Sequence, residues 1–307
     1  MANDFRRPLN YKFDKLDERD YKFKTASVYE KLRAVRPSSI DWSSNMSRIK
    51  DQGQLGSCVG FAMVAMKEWQ EITERIMEQK EYGPTNDELK DLSESYVYWN
   101  AKAIDGDPEE GTTLRVAMQV LKNKGVPTER FWPYSDKTRG EALDGADTAA
   151  EWTKIGSYWR VTSLEELLTA LSKQPVPIGI SCFEEIFSVG SNGLVPLPKN
   201  PALDYGGHAI CLVGYDDEKR LLKFKNSWST AWGQNGYGYL SYDYFEYIID
   251  AWTCLDLKVT GGEVPVTPPP ADDDKDDDKK KKPIVLFIAI GVAVALALIG
   301  SIIKWIF

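Results

Sequence analysis

Residues 51–68, DQGQLGSCVGFAMVAMKE, join a turn-forming run (Gly53, Gly56, Ser57) to a segment in which Phe61, Ala65, Trp69, Ile72 and Ile76 recur at helical spacing. That pattern puts Cys58 in the first turn of a helix. Unpaired backbone N–H groups and the helix dipole favour negative charge there, which draws a thiol toward the thiolate that attacks carbonyls. A cysteine among small residues reads just as readily as core packing, so the rest of the chain has to decide. The only histidine, His208, lies in DYGGHAICLVGY at 204–215, and KNSW follows at 225–228.

The surrounding pattern predicts two halves. A helix is expected from Cys58 to about Gln79, closed by Tyr82-Gly83-Pro84, a second over 86–104, and a third over 114–124 with Leu114, Ala117, Met118 and Leu121 on one face. The second half carries β-rich runs at 176–180, 207–213, 219–225 and 236–242, and Ser163-x-x-Glu166 forms a capping box ahead of a short helix ended by Pro175. Such an order reads as α+β, with a helical lobe and an antiparallel, barrel-like sheet lobe. A net charge of −8, with no basic face beyond one lysine run, argues against nucleic acid as a partner. Four cysteines without a CxxC pair and one histidine give no metal-site spacing, so neither metal nor cofactor is expected.

Several motifs agree with one another in order and separation. Gln52-x5-Cys58, Gly207-His208-Ala209, Lys225-Asn226-Ser227-Trp228 and Trp232-Gly-x-x-Gly-Tyr-Gly-Tyr resemble the papain family of cysteine peptidases, the cathepsin-like enzymes. Ser39-Ile-Asp41-Trp42 resembles the start of a mature domain in that family, and Leu92-Ser-Glu94 and Trp132-Pro-Tyr134 resemble later landmarks. The resemblance implies a papain-like two-lobed fold that cleaves polypeptides through a Cys58 thioester. It assigns His208 as acid and base, Asn226 as its orienting partner, Trp228 as a shield over that contact, and Gln52 as an oxyanion donor. It also implies substrate contacts at Gly111, Thr112, Gly207 and Trp232, although the family's double glycine is absent. Glu109 and Glu110 read either as selectors for a basic side chain or as a solvated loop.

Departures from the family pattern are Val59 after the nucleophile, Ser229 after Trp228, and Leu55 where secreted relatives carry a disulfide-bonded cysteine. Cys182, Cys211 and Cys254 sit in apolar or β-rich settings and read as reduced core residues, consistent with a reducing compartment. An inactive binding scaffold and a thiol acyltransferase are the alternative readings. The disulfide-poor form looks like the cathepsin-like proteinases of bacteria and large DNA viruses.

Residues 1–37 form a leader without an apolar run of signal-peptide length; its mixture of charged and aromatic residues fits an extended arm that either occupies the cleft as an inhibitory segment or wraps the domain. The peptidase-like domain is expected over 38–259. Residues 260–283 are a proline-rich, then charged, linker. The uncharged segment at 284–303, IVLFIAIGVAVALALIGSII, has the length of a helix that crosses a lipid bilayer, followed by a short tail at 304–307. Four lysines at 279–282 against Lys304 beyond the segment put the domain on the cytosolic side. Were it lumenal, Asn45-Met46-Ser47 would be a glycosylation acceptor.

Overall fold

The computed structural model describes residues 6–26, 28–78 and 91–255. The linker, the apolar segment at 284–303 and the tail lie outside the described residues, and among those described no helix is long and apolar enough to cross a membrane. Six α-helices are described: α1 (Tyr29–Ala34), α2 (Cys58–Glu78), α3 (Glu94–Asp105), α4 (Leu114–Asn123), α5 (Ala146–Ala150) and α6 (Leu164–Leu171). Seven strands accompany them: β1 (Ser39–Asp41), β2 (Ser157–Arg160), β3 (Val176–Cys182), β4 (Gly206–Asp216), β5 (Leu221–Lys225), β6 (Tyr237–Ser241) and β7 (Ile248–Leu255).

Helix α2 is the centre of the helical half. Ala, Met, Glu, Lys and Gln favour its backbone, and no proline interrupts it. It is buried on more sides than an amphipathic stripe allows: Lys67, Glu68 and Gln70 are buried as fully as Met63 and Met66. Lys67 is neutralised one turn along by Glu71 at 2.5 Å. A Cβ on Gly60 would stand 2.9 Å from the Glu94 carbonyl, so this glycine lets α3 cross close to the start of α2.

The start of α3 departs from the expected Asn86. Asp91 and Ser93 give their backbone groups to residues 127–129, with Ser93 N–H on the Pro127 carbonyl and Glu129 N–H on that of Asp91. Ser93 then accepts from Tyr96 N–H at 3.1 Å, a cap that starts the helix at Glu94. Residues 79–90 lie outside the described residues. Helix α6 begins as its capping box predicts, with Ser163 Oγ accepting from Glu166 N–H at 3.2 Å.

All strand pairings are antiparallel, in the order β2-β7-β3-β4-β5-β6, with β1 added on β4. The barrel-like closure is not made: β2 and β6 end an open path among the described residues. Strand β4 separates two cores. Ile210 and Leu212 face the sheet-side cluster with Ile178, Phe224 and Trp228, whereas Ala209, Cys211 and Val213 face the helix-side cluster with Cys58, Met63 and Leu114. A register shift between Leu212 and Gly214 returns Tyr215 to the sheet side.

A buried polar cluster ties the halves together. Lys50 contacts Glu94 at 2.7 Å and Glu68 at 3.2 Å, Glu68 also accepts from Leu92 N–H, and Ser47 joins Glu68 to Lys225. Burial alone would lower the Lys50 pKa, but the carboxylates of Glu94 and Glu68 outweigh it and hold the ammonium charged. Glu68→Ala leaves the buried Leu92 N–H without its acceptor, takes the carboxylate from Ser47 and removes one of the three carboxylates around Lys50. We expect it to destabilise the fold by about 3–5 kcal/mol in urea unfolding, while Arg220→Ala, in an exposed pair with Asp243, stays within about 0.5 kcal/mol of the parent.

Candidate active site

Cys58 opens α2 and is fully buried. Its Sγ accepts a hydrogen bond from Ala209 N–H at 3.4 Å, so the helix N-terminus is held directly against β4, one residue beyond His208. On that strand His208 pairs in register with Ile180 of β3, and Cys211 pairs with Lys225 of β5. Asn226 therefore emerges at the end of β5 beside His208.

His208 Nε2 and Asn226 Oδ1 are 2.9 Å apart. Oδ1 also accepts from Ser227 N–H at 2.8 Å, which orients the amide with its oxygen toward the ring and makes Nε2 the protonated nitrogen. Nδ1 has no hydrogen-bond partner among the described residues and is the nitrogen left to exchange a proton. The Trp228 ring lies over the imidazole, 4.7 Å between centroids and tilted by 31°, and Phe187 stacks behind it at 6.0 Å. Apolar faces on that side keep water from the His208–Asn226 bond.

Gln52 reaches the same place by a different route. Its backbone N–H donates to Ser227 O, its Oε1 accepts from Ser227 Oγ at 2.7 Å, and its Nε2 donates to Leu55 O at 3.1 Å. These bonds fix the amide orientation and leave Nε2 one further N–H. Tyr134 OH donates to Gln52 O at 2.7 Å and lies 2.7 Å from Ser57 Oγ, bracing the loop from Gln52 to Cys58.

Burial acts on the ionisation of both groups. Burial pushes the Cys58 thiol up to about 11, against the downward pull of the Ala209 and Val59 N–H groups. Burial likewise pushes His208 down to about 4, opposed by its bond to Asn226. Both shifts favour the uncharged form of each group while the site is closed.

The N-terminal arm lies along the groove beside these residues. Tyr11 N–H donates to Gly207 O at 3.0 Å and Lys12 N–H to Thr112 O at 3.1 Å. A Cβ on Gly111, where φ is +87°, would meet the Asn10 carbonyl at 1.7 Å, and one on Gly56 would meet the Asn10 side chain at 2.7 Å. Arg7 pairs with Asp51, next to Gln52, at 3.0 Å, and Lys12 pairs with Asp107 in the acidic loop. Glu110 of that loop is exposed but accepts from Gly56 N–H at 2.9 Å, bracing the turn ahead of Cys58.

Three of the expected substrate contacts, Gly111, Thr112 and Gly207, thus line the groove. Trp232 does not. It is fully buried in the sheet-side core, donates its Nε1–H to Ile186 O at 2.9 Å and packs edge-on against Trp228. The Trp-Gly pattern marks a brace behind Trp228, with the rings of Phe224 and Trp228 packed against that indole. Sequence reasoning missed Tyr11 and Asp250, which meet at 2.8 Å. An acidic residue within the apolar run Ile248-Ile249-Asp250-Ala251-Trp252 was the available signal. All four cysteines are buried and none forms a disulfide, and no group of His, Cys, Asp or Glu among the described residues is arranged to hold a metal.

Comparison with known proteins agrees with this geometry. The model of the papain family cysteine protease domain matches residues 36–251. An uncharacterized peptidase C1-like protein of Acanthamoeba polyphaga mimivirus is 27% identical over 266 residues, which is 78% of this chain and 82% of that one. Chymopapain of Carica papaya is 30% identical over 230 residues, 72% of this chain but 57% of the relative. The crystal structure of xylellain, a cysteine protease from Xylella fastidiosa, superposes with a TM-score of 0.67 at 28% identity and covers 80% of this chain and 94% of that one. With the family model spanning more than half its length, the chain belongs to the papain family of cysteine proteases.

Proposed function

We propose that the protein is a membrane-tethered cysteine peptidase kept latent by its own N-terminal arm, with Cys58 as nucleophile, His208 as acid and base, Asn226 as the group that orients it and Gln52 as an oxyanion donor. The observation that carries this reading is the single line of contacts from Cys58 Sγ through Ala209 N–H to His208, and from His208 Nε2 to Asn226 Oδ1.

Withdrawal of the arm admits water and a peptide to the groove. Removal of desolvation then favours transfer of the Cys58 proton to His208 Nδ1, giving a thiolate and an imidazolium that titrate as a pair. The thiolate attacks the scissile carbonyl carbon. Negative charge collects on the former carbonyl oxygen, where the free N–H of Gln52 and the Cys58 backbone N–H stabilise it. Collapse breaks the C–N bond, His208 Nδ1–H protonates the departing amine, and an acyl thioester remains on Cys58. His208 Nδ1 next takes a proton from water, whose oxygen attacks the thioester, and the proton passes back to the departing sulfur. Asn226 holds the ring through Nε2 throughout, as a carboxylate does in serine triads.

Tethering rests on the sequence alone: 284–303 has the length and uniform apolarity of a membrane-crossing helix, and 279–282 supply the positive flank that keeps the domain cytosolic, at a host or virion membrane if the protein is viral. The polar linker at 260–283 gives the domain reach from the bilayer.

Three outcomes test this reading. An epoxide-type thiol inhibitor will label Cys58 in the full chain once Asn10→Gly, Tyr11→Gly and Lys12→Gly free the groove, and labelling that persists when Cys58→Ala is added would mean another thiol reacts. Gln52→Ala is expected to lower kcat by about 100- to 1,000-fold and, because Ser227 Oγ and Leu55 O lose a buried partner, to cost about 1–3 kcal/mol in urea unfolding; a kcat change below about threefold would remove Gln52 from the oxyanion site. With the thiol near 11, alkylation of the closed chain by iodoacetamide should stay slow at pH 7 and rise only toward alkaline pH. A chain carrying Asn10→Gly, Tyr11→Gly and Lys12→Gly should react at least about tenfold faster at pH 7, and equal rates would sink latency through the arm. Separately, the full chain should float with liposomes in a density gradient and a chain ending at residue 259 should not.

A further inference from the structure

The two groups assigned to the oxyanion, the Gln52 side chain and the Cys58 backbone N–H, are six residues apart on a loop of small, turn-forming residues. The loop holds itself only in part. Gly53 turns at φ +59°, Ser57 N–H donates to Leu55 O at 2.8 Å, and Gln52 Nε2 reaches the same carbonyl at 3.1 Å. The Gln52 carbonyl and the Ser57 hydroxyl are fixed by a segment distant in sequence, Trp132-Pro133-Tyr134-Ser135-Asp136.

Tyr134 OH lies 2.7 Å from both Gln52 O and Ser57 Oγ. A carbonyl only accepts, so the single phenolic proton goes to Gln52 O and the Ser57 hydroxyl donates to the phenol oxygen. That bond is far shorter than the 3.4 Å alternative from Ser57 Oγ to Leu55 O. One hydroxyl therefore ties the residue that carries one oxyanion donor to the residue immediately before the other. The Tyr134 ring also packs edge-on against Phe61, near the start of α2, with 4.7 Å between centroids. Two residues on, Asp136 Oδ2 accepts from Gln54 N–H at 2.9 Å, over Gly53, whose Cβ would stand 2.1 Å from that oxygen. The segment is itself held from the start of α3, where Ser93 Oγ donates to Trp132 O at 2.6 Å, and from Glu129, which accepts from Tyr134 N–H. Burial holds the Tyr134 phenol above its ordinary pKa, so it stays a donor at neutral pH.

We propose that Tyr134 is a positioning residue for the oxyanion site: its hydroxyl sets the separation between the Gln52 side chain and the Cys58 N–H, and it acts on the reaction through Gln52. The inference rests on the peptidase reading and adds the group that makes the two donors converge. Stabilising a developing charge requires donors within about 2.7–3.1 Å of one point, and a loop with Gly53 and Gly56 has many backbone conformations in which two donors do not meet. Without the hydroxyl, Gln52 keeps its bonds to Ser227 and Leu55 but loses its tie to the residue before Cys58. The loss therefore falls on the step in which charge develops and not on substrate binding.

The test uses the full chain in detergent with Asn10→Gly, Tyr11→Gly and Lys12→Gly to open the groove, and a double-mutant cycle between Tyr134→Phe and Gln52→Ala. Phenylalanine keeps the ring on Phe61 and removes only the hydroxyl. Tyr134→Phe should lower kcat on a fluorogenic peptide by at least about fivefold with KM within about twofold. In the Gln52→Ala background the same change should lower kcat by less than about twofold, because the group it positions is gone. A kcat within twofold of the opened parent, or an equal drop in both backgrounds, would overturn the proposal, since a merely structural role costs the same with or without Gln52. Should the opened parent cleave no peptide, the peptidase reading fails and the brace is read from deuterium uptake. Tyr134→Phe should then raise uptake at the backbone amides of residues 52–58 at least about threefold over the opened parent, with uptake over 114–123 unchanged. That result supports Tyr134 as the group that fixes the loop, with only the peptidase reading lost; unchanged uptake at 52–58, or a rise throughout the chain, overturns it.

Discussion

The seam between the first turn of α2 and strand β4 is the contact on which the site depends. A single backbone N–H, from Ala209, reaches across it to Cys58 Sγ. Because side chains alternate along a strand, Ala209 and Cys211 face the helices while Ile210 and Leu212 face the sheet core. His208 stands on the sheet-core side, under Trp228, and still lies next to the residue that touches the thiol. A one-residue slip of β4 against β3 would exchange these faces and carry the imidazole away from Asn226. Packing on both sides of β4 therefore sets the register on which the chemistry relies.

The buried cluster of Lys50, Glu68, Glu94, Ser47 and Lys225 bears on the same geometry. Lys50 lies two residues before Gln52 and Lys225 immediately before Asn226, so both segments that approach the imidazole are pinned to α2 and α3 beneath them. Ion pairs of this kind contribute little net free energy against an apolar replacement, because desolvating the charges offsets most of their attraction. Their directionality is what matters here. Apolar packing would tolerate small shifts of two loops, whereas a lysine shared among carboxylates has few alternative positions.

The candidate catalytic groups were legible in the sequence because the chemistry proposed for them allows few substitutes. A thiol at a helix start, the one histidine and an Asn before a tryptophan announced the site, and the β-rich runs around His208 matched strands. Elements defined by tertiary pairing were less visible. Strand β2, SYWR, and strand β7, IIDAWTCL, pair with each other through non-local ladders that no short-range period announces. The early start assigned to α3 failed because Asp91 and Ser93 give their backbone groups to residues 127–129, a partner invisible to local pattern. Trp232 was misplaced for a related reason: an aromatic beside glycines reads alike whether it lines a groove or backs another tryptophan. Whether the leader wrapped the domain or entered the cleft was open until Tyr11 and Lys12 were seen bonded to Gly207 and Thr112.

Where the arm is held has a consequence for how it can be released. Arg6 with Glu184 and Arg7 with Asp51 lie on the rim, and such exposed pairs add at most about 1 kcal/mol each and weaken with salt. The deeper anchors are of another kind. Tyr11 and Asp14 both end on Asp250, and Asp14 also accepts from Trp252 Nε1–H and Arg115 N–H. These bonds are shielded from salt and are exchanged for another ligand more readily than they are screened. Ionic strength acts on the shallow anchors and leaves the deep ones in place. Release of the arm therefore requires the buried bonds on Asp250 to be replaced, by water or by another donor, and not merely screened.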